Sequence, residues 1–187
     1  MSVINRQPNR LAIEALRLSE TDSVLELGVG SGWALRRILA LSRSGQIFGI
    51  DQSAEMLALS SRQVRSAVRR GRVLLVRAEF EALPFSDNCF DRLLAVDVAY
   101  FFSFHGEDFR EARRVLRPGG RMVVYVSDRE TLANFPFARE DTHRSFDRDE
   151  LVAAIRTGGF AESEITVVPV KLTLGVSGLL ATVVKQP

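Results

Sequence analysis

The amino-acid sequence predicts an α/β fold: a doubly wound, mostly parallel sheet with helices on both faces. Short apolar runs alternate with longer amphipathic segments, the pattern of strands separated by crossover helices. The runs lack polar alternation, as strands covered on both faces do. The last two runs are joined too tightly for another crossover, which makes the end of the sheet antiparallel. At 187 residues the chain is about one domain long and is read as one, residues 1–187.

Apolar runs at 24–27, 46–50, 73–77, 92–96 and 122–126 are the expected parallel strands. Segments 33–42, 54–69 and 107–116 between them have helical spacing. In the last, Phe109, Ala112 and Leu116 share one face, with Arg110, Arg113 and Arg114 outside. Pro118-Gly119-Gly120 stops that helix and turns the chain into the next strand. Further on, Asp147 is placed as an N-cap with Glu150 completing a capping box, and Gly158-Gly159 ends the helix so begun. Runs 165–172 and 179–184, joined across Gly175 to Gly178, form the antiparallel pair. Residues 1–21 read as an N-terminal helical cap and 127–146, weakly periodic and charged, as a lid loop.

Hydrophobic residues at 46% and charged residues at 26% are ordinary for a globular protein with a packed core. A net charge of +2 creates no field that would by itself draw nucleic acid. The arginine-rich stretch 62–72 is spread along an expected helix and reads as a solvated face. Cys89 is the only cysteine, which excludes a disulfide framework and a cysteine metal cluster; it reads as packed, and no metal site is expected. No apolar run reaches the roughly 18 residues of a bilayer span, and the polar amino terminus lacks a secretory apolar core. A cytoplasmic protein without membrane contact is the expectation.

The chemistry centres on Val24-Leu25-Glu26-Leu27-Gly28-Val29-Gly30-Ser31-Gly32-Trp33, a strand that runs through glycines into a helix. Glycines there permit positive φ and let a ligand lie against bare backbone. The helix amino terminus adds free N–H groups and a partial positive charge, which suits a carboxylate or phosphate. Asp51 ends the next strand, where a carboxylate can accept hydrogen bonds from both ribose hydroxyls. Two nucleoside ligands compete for this pattern, NAD and S-adenosylmethionine (SAM). Three features favour SAM. Trp33 stands where the NAD fingerprint wants its third glycine. Ala78-Glu79-Phe80 at the third strand end sets an acid beside an aromatic ring, suited to adenine. The antiparallel terminus is also foreign to the usual dinucleotide half-fold.

Glu26-Leu27-Gly28-Val29-Gly30-Ser31-Gly32 resembles the first motif of the class I SAM-dependent methyltransferases. Gly49-Ile50-Asp51 resembles their ribose-binding strand end. Ala82-Leu83-Pro84-Phe85 with Phe90-Asp91, then Arg114-Val115-Leu116-Arg117-Pro118-Gly119-Gly120, resemble the approaches to their fourth and fifth strands. The match spans residues 22–126 in the family's order. It implies a Rossmann-like seven-stranded sheet of order 3-2-1-4-5-7-6 with the last strand antiparallel. It also implies site roles. Glu26, Gly28, Gly30 and Gly32 would cradle the methionine part of SAM, and Asp51 would hold the ribose with Gln52 and Met56 beside it. Ala78, Glu79 and Phe80 would line the adenine pocket, and Val96 and Asp97 would lie near the sulfonium and the acceptor. S-adenosylhomocysteine would be the product.

Methyl transfer from a sulfonium is an in-line displacement in which the protein mainly binds and aligns. Where the nucleophile must lose a proton, His105, after the fourth strand, is the candidate base, with His143 in the lid a weaker one; Asp97 is a further catalytic candidate, or else a helix cap. Tyr100 is placed either to shield the sulfonium or to pack, and Phe101, Phe102 and Phe104 to form an apolar wall or core. The stretch Val96-Asp97-Val98-Ala99-Tyr100 is not the Asn-Pro-Pro-aromatic pattern of adenine and glutamine amino-methylation, and no Pro-Cys pair serves cytosine methylation. With no appended domain or basic tract, a small-molecule acceptor is expected, nucleic acid is disfavoured, and a homodimer could complete the substrate pocket. Against this stand a non-catalytic SAM-binding sensor or subunit, a partner-recruited modifier of nucleic acid or protein, and, more distantly, a dehydrogenase.

Overall fold

A computed structural model describes residues 6–103, 105–132, 145–173 and 177–187. Its centre is a seven-stranded sheet. Val24–Leu27 (β1), Ile47–Asp51 (β2), Val73–Arg77 (β3), Phe90–Val96 (β4) and Leu116–Ser127 (β5) run parallel. Ile165–Lys171 (β6) and Ser177–Val184 (β7) complete it, β7 antiparallel to both β5 and β6. The order is β3-β2-β1-β4-β5-β7-β6, as the family resemblance implied. The tight β6–β7 connection dictates that pairing, because a parallel return needs a dozen residues or more.

Helices cover both faces, and the two cores follow from the two-residue period of a strand. Along β5, Met122, Val124 and Val126 face one core, which also holds Phe109, Ala112 and Val115 of Glu107–Val115 (α5) and Leu151 and Ile155 of Arg148–Thr157 (α7). Val123 and Tyr125 face the other. That second core is closed by Arg6–Leu16 (α1), Trp33–Leu41 (α2), Ala54–Gln63 (α3) and Arg65–Arg69 (α4). The expected N-terminal cap is α1, whose Pro8, Asn9, Ala12, Ile13 and Leu16 form its buried stripe. The capping box of α7 is formed: the Glu150 N–H donates to Asp147 Oδ1 at 2.8 Å and the Asp147 N–H to Glu150 Oε2 at 2.7 Å.

Three expectations need correction. The helix expected over 54–69 is two helices, because Val64 leaves the helical region at φ −118° and ψ 24° while its side chain stays buried. The fifth strand begins earlier than 122: Leu116 already pairs with Phe90, and Arg117–Gly120 then bulge out before Arg121 pairs with Arg92. The carboxyl-terminal segment holds that bulge. The Gly119 N–H donates to the Lys185 carbonyl at 2.7 Å, and Lys185 Nζ donates to the carbonyls of Arg113 and Leu116 at the end of α5. Of the lid expected over 127–146, Ser127 belongs to β5 and Arg129–Leu132 (α6) is helical, while 133–144, including His143, lie outside the described residues. Among the described residues no helix is long and apolar enough to cross a membrane.

Candidate functional site

Ligands of doubly wound sheets bind beyond the carboxyl ends of the strands where the order reverses. Here β1 lies between β2 and β4, and a cavity of about 360 Å³ opens at the carboxyl ends of those three strands. Such a volume is in the range of small-molecule sites.

Each side of the glycine loop is built for a different reason. The Gly28 N–H donates to the Ile50 carbonyl at 2.8 Å, and a Cβ on Gly28 would sit 2.6 Å from Val98 Cγ2, so that glycine keeps β1 close to the β4 exit. At Gly30, φ is +48° and a Cβ would meet nothing within 4 Å; bare backbone faces the open cavity. Gly32 does not line the cavity. A Cβ there would lie 2.8 Å from Ser60 Cα, so its absence lets α2 start against α3.

Asp51, at the end of β2, reaches across this loop. Its Oδ2 accepts the Gly30 N–H at 3.0 Å and its Oδ1 the Ser53 N–H at 2.9 Å, which orients the carboxylate along the cavity wall. A carboxylate has about four lone-pair sites, so two bonds leave acceptor capacity for a ligand. Glu26, near the end of β1, is only 4% exposed, and its Oε2 has no hydrogen-bond partner. Burial, and secondarily the Asp51 charge, hold its pKa well above the usual carboxylate range. Asp97 follows β4 with φ +52° and lines the same cavity. Burial raises its pKa against the lowering effect of its hydrogen bonds.

Of the expected site residues, Glu26, Gly28, Gly30, Asp51, Gln52, Met56, Phe80, Val96 and Asp97 are brought to one wall. Others are not. Ala78 packs against the α5 core and Glu79 is exposed at the end of β3, so neither borders the cavity. The Tyr100 ring is buried and its hydroxyl donates to Asp97 Oδ1 at 2.9 Å, so it braces Asp97 instead of facing a ligand. His105 sits in an exposed turn away from the lining. The phenylalanine cluster divides. Phe101 lines the cavity mouth at 52% exposure, Phe102 packs in the core 5.4 Å from Phe80 and 5.2 Å from Phe109, and Phe104 lies outside the described residues. Cys89 is half-buried and packs against the α5 core, as read from the sequence.

Asn9 and Trp33 also line the cavity and were not assigned to it from the sequence. Asn9 carried a signal: it is the polar member of the i, i+3, i+4, i+7 stripe Asn9, Ala12, Ile13 and Leu16 on α1. Trp33 carried none beyond its place after Gly32.

Among the described residues the wall contains three carboxyl side chains, Glu26, Asp51 and Asp97, and no lysine, arginine or histidine. A pyrophosphate would be repelled there, whereas a ligand bearing an ammonium and a sulfonium would be attracted.

A family model described as a methyltransferase domain matches residues 25–124, which include the glycine loop, Asp51 and β4. The chain belongs to the methyltransferase-domain family. The class I SAM-dependent family read from the ordered motifs is thereby borne out, and with it SAM as cofactor. Methyltransferase relatives agree. An uncharacterized methyltransferase, YdaC, of Bacillus subtilis is 27% identical over 176 residues, 94% of this chain and 92% of that protein. The ubiquinone/menaquinone biosynthesis C-methyltransferase UbiE of Geobacter sulfurreducens is 33% identical over 122 residues, 65% of this chain but 48% of that protein. The methyltransferase thus spans nearly all of the Bacillus relative and about half of the UbiE protein. Among solved structures, the complex between the Haloferax volcanii Trm112 methyltransferase activator and a putative methyltransferase contains a chain of the same fold. Its TM-score is 0.80 at 20% identity, covering 98% of this chain and 91% of that one.

Proposed function

We propose that this methyltransferase moves the methyl group of SAM to a small-molecule acceptor, with SAM lying across the carboxyl ends of β1 and β2. The observation that carries the placement is the unpartnered, buried Glu26 carboxyl beside the bare Gly30 backbone. An isolated buried carboxyl is costly, and an ammonium group relieves that cost. Asp51 takes the ribose hydroxyls, and Phe80, Met56 and Val29 supply apolar contact for the adenine and the thioether stem. When bound, SAM supplies an electrophilic methyl; the protein's part is to hold it in line with the acceptor and to exclude water. The ubiquinone/menaquinone relatives, named for the biosynthesis of small molecules, support the choice of acceptor. Phe101, exposed at the mouth, is where a second copy of the chain would complete the pocket. An activator-dependent reading is favoured by one observation only, that the Haloferax neighbour sits in a complex with an activator.

Calorimetric titration of the purified chain tests this directly. SAM is expected to bind and NADH not; heat from NADH alone would overturn the reading. Glu26→Gln separates two roles. A carboxyl whose folded pKa is raised contributes stability below its unfolded pKa and loses it as pH rises toward the folded one. At neutral pH the glutamine variant should therefore melt at or above the wild-type temperature. SAM affinity should fall about 10- to 150-fold, the loss of one charge-assisted hydrogen bond of roughly 1.5–3 kcal/mol. Unchanged affinity would remove Glu26 from the site.

The two cavity glycines should part company. Gly30→Ala has free space around it and pays only for its left-handed backbone, about 1–2 kcal/mol, so it should fold yet bind SAM at least tenfold more weakly. Gly28→Ala adds a clash with Val98 and should lose about 2–5 kcal/mol of stability by urea denaturation. Equal stability of the two variants would refute that division.

A further inference from the structure

We infer that Asp97 is the proton acceptor of the reaction, held in place by Tyr100 and Ser127, and that the acceptor molecule presents an O–H or N–H group from an otherwise apolar body. The inference rests on the methyltransferase reading above and adds the acceptor class and two positioning residues.

The two oxygens of the Asp97 carboxyl have different surroundings. Oδ1 accepts the Tyr100 hydroxyl at 2.9 Å, the Ser127 hydroxyl at 3.2 Å and the Ser127 N–H at 3.3 Å. Among the described residues, every hydrogen bond to the Asp97 side chain goes to Oδ1. Oδ2 is therefore the oxygen available to whatever enters the cavity that Asp97 lines. The Ser127 N–H also reaches the Tyr100 hydroxyl, and that hydroxyl lies 3.4 Å from the Ser127 carbonyl, so the brace is a closed cluster and not a single bond. The backbone is fixed too: the Asp97 N–H donates to the Tyr125 carbonyl at 2.9 Å, with φ at +52°, a conformation aspartate tolerates but rarely adopts. Tyr100 is held from behind by Phe146, ring centroids 6.5 Å apart.

The surroundings define the partner. Val96 and Val98 flank Asp97, and Phe101 follows in the Ala99–Phe101 turn, all lining the cavity. Among the described residues the ionisable groups around Asp97 are Tyr100 from that turn, Tyr125 from β5 with Asp128 beside it, and Glu26 and Asp51 from β1 and β2 across the cavity. Among the described residues no lysine, arginine or histidine lines the wall beside Asp97. The apolar stretch of wall made by Val96, Val98 and Phe101, with one braced carboxyl oxygen in it, suits a hydroxyl or amine hydrogen. In the step, the acceptor's nucleophilic atom forms its bond to the methyl carbon as the carbon–sulfur bond breaks. The electron pair of that bond returns to sulfur, and the acceptor's proton passes to Asp97 Oδ2.

The test uses the full chain with SAM and a panel of probes. Hydroquinone, indole and hexadecylamine carry a transferable proton; dimethyl sulfide and triethylamine do not. Turnover is expected with at least one of the first three. Turnover confined to the last two, or absent throughout while calorimetry shows SAM bound, overturns the inference. Failure of SAM to bind at all would instead sink the methyltransferase reading beneath it. With an active probe, Asp97→Asn should lower kcat about 10²–10⁴-fold and flatten the acid limb of the pH profile, with SAM affinity within a few-fold of wild type. Wild-type turnover in that variant overturns the assignment. Tyr100→Phe keeps the ring but removes a donor that lowers the Asp97 pKa, so the acid limb should move to higher pH. The carboxyl carbon of Asp97, followed by ¹³C NMR without SAM, should titrate correspondingly higher in Tyr100→Phe and in Ser127→Ala. An Asp97 titration unmoved in both variants would reduce the brace to simple packing.

Discussion

Asp51→Ala should weaken SAM binding about 10²–10⁴-fold while the chain remains folded. Both ribose hydroxyls would lose a charged acceptor, and each such hydrogen bond is worth roughly 1.5–3 kcal/mol. The side chain also organises the loop, by accepting the Gly30 and Ser53 N–H groups. Both N–H groups can turn to water at the cavity edge, so the cost in stability should be small. Asp51→Asn is the informative companion. Its amide oxygen can still accept from the loop, but the charge is gone, so an intermediate affinity is expected. Isothermal titration of the three proteins, with circular dichroism to confirm folding, decides the matter. An affinity for SAM within threefold of wild type in the alanine variant would detach the ribose from this strand end.

Phe90→Ala should cost about 3–5 kcal/mol of stability, the usual range for removing a buried aromatic ring. Phe90 opens β4 at 1% exposure, with edge-to-face contacts to Phe48 at 5.2 Å and Phe85 at 5.0 Å. Those rings contribute beyond the buried area, because edge and face carry opposite partial charge. The ring lies at the amino end of β4, away from the cavity at the carboxyl end. Melting should therefore fall by roughly 6–20 °C, while SAM affinity measured well below the transition stays near wild type. A loss of less than about 1 kcal/mol would mean that Phe48 and Phe85 close the gap by collapsing together.

The sheet was legible because each strand announces itself locally. A run such as Met122–Val126 lacks polar alternation because both faces of the strand are covered, and the glycines that follow Leu27 mark a turn. The capping box at Asp147 was legible for the same reason: donor, acceptor and spacing lie within four residues. The bulge at Arg117–Gly120 was not. It depends on Lys185, some 70 residues away, supplying the ammonium that closes the end of α5. The break at Val64 is likewise a compromise between helix continuation and burial of one side chain, which spacing alone does not reveal.

The site divides along the same line. Glu26, Gly28, Gly30 and Asp51, at the ends of β1 and β2, line the cavity because strand ends in this topology converge by construction, whereas Gly32 serves the packing of α2 on α3. Glu79 had the same sequence logic at the end of β3, yet it stands exposed outside the wall, because position on a strand does not decide which way a side chain turns beyond its end. Tyr100 and His105 were attractive as chemistry-bearing residues near β4. Packing buried the first against Asp97 and left the second in solvent.

What the sequence determined by itself is the order of elements, the parallel core with its antiparallel end, and the methyltransferase family, because periodicity, turn residues and motif order are local properties of the chain. Only the tertiary structure decided which carboxyl groups share one cavity, that Glu26 is left without a partner and that Oδ1 of Asp97 is saturated. Those facts arise where residues distant along the chain meet out of water, and there a single missing or extra hydrogen bond sets both the cost of burial and the chemistry a side chain can perform.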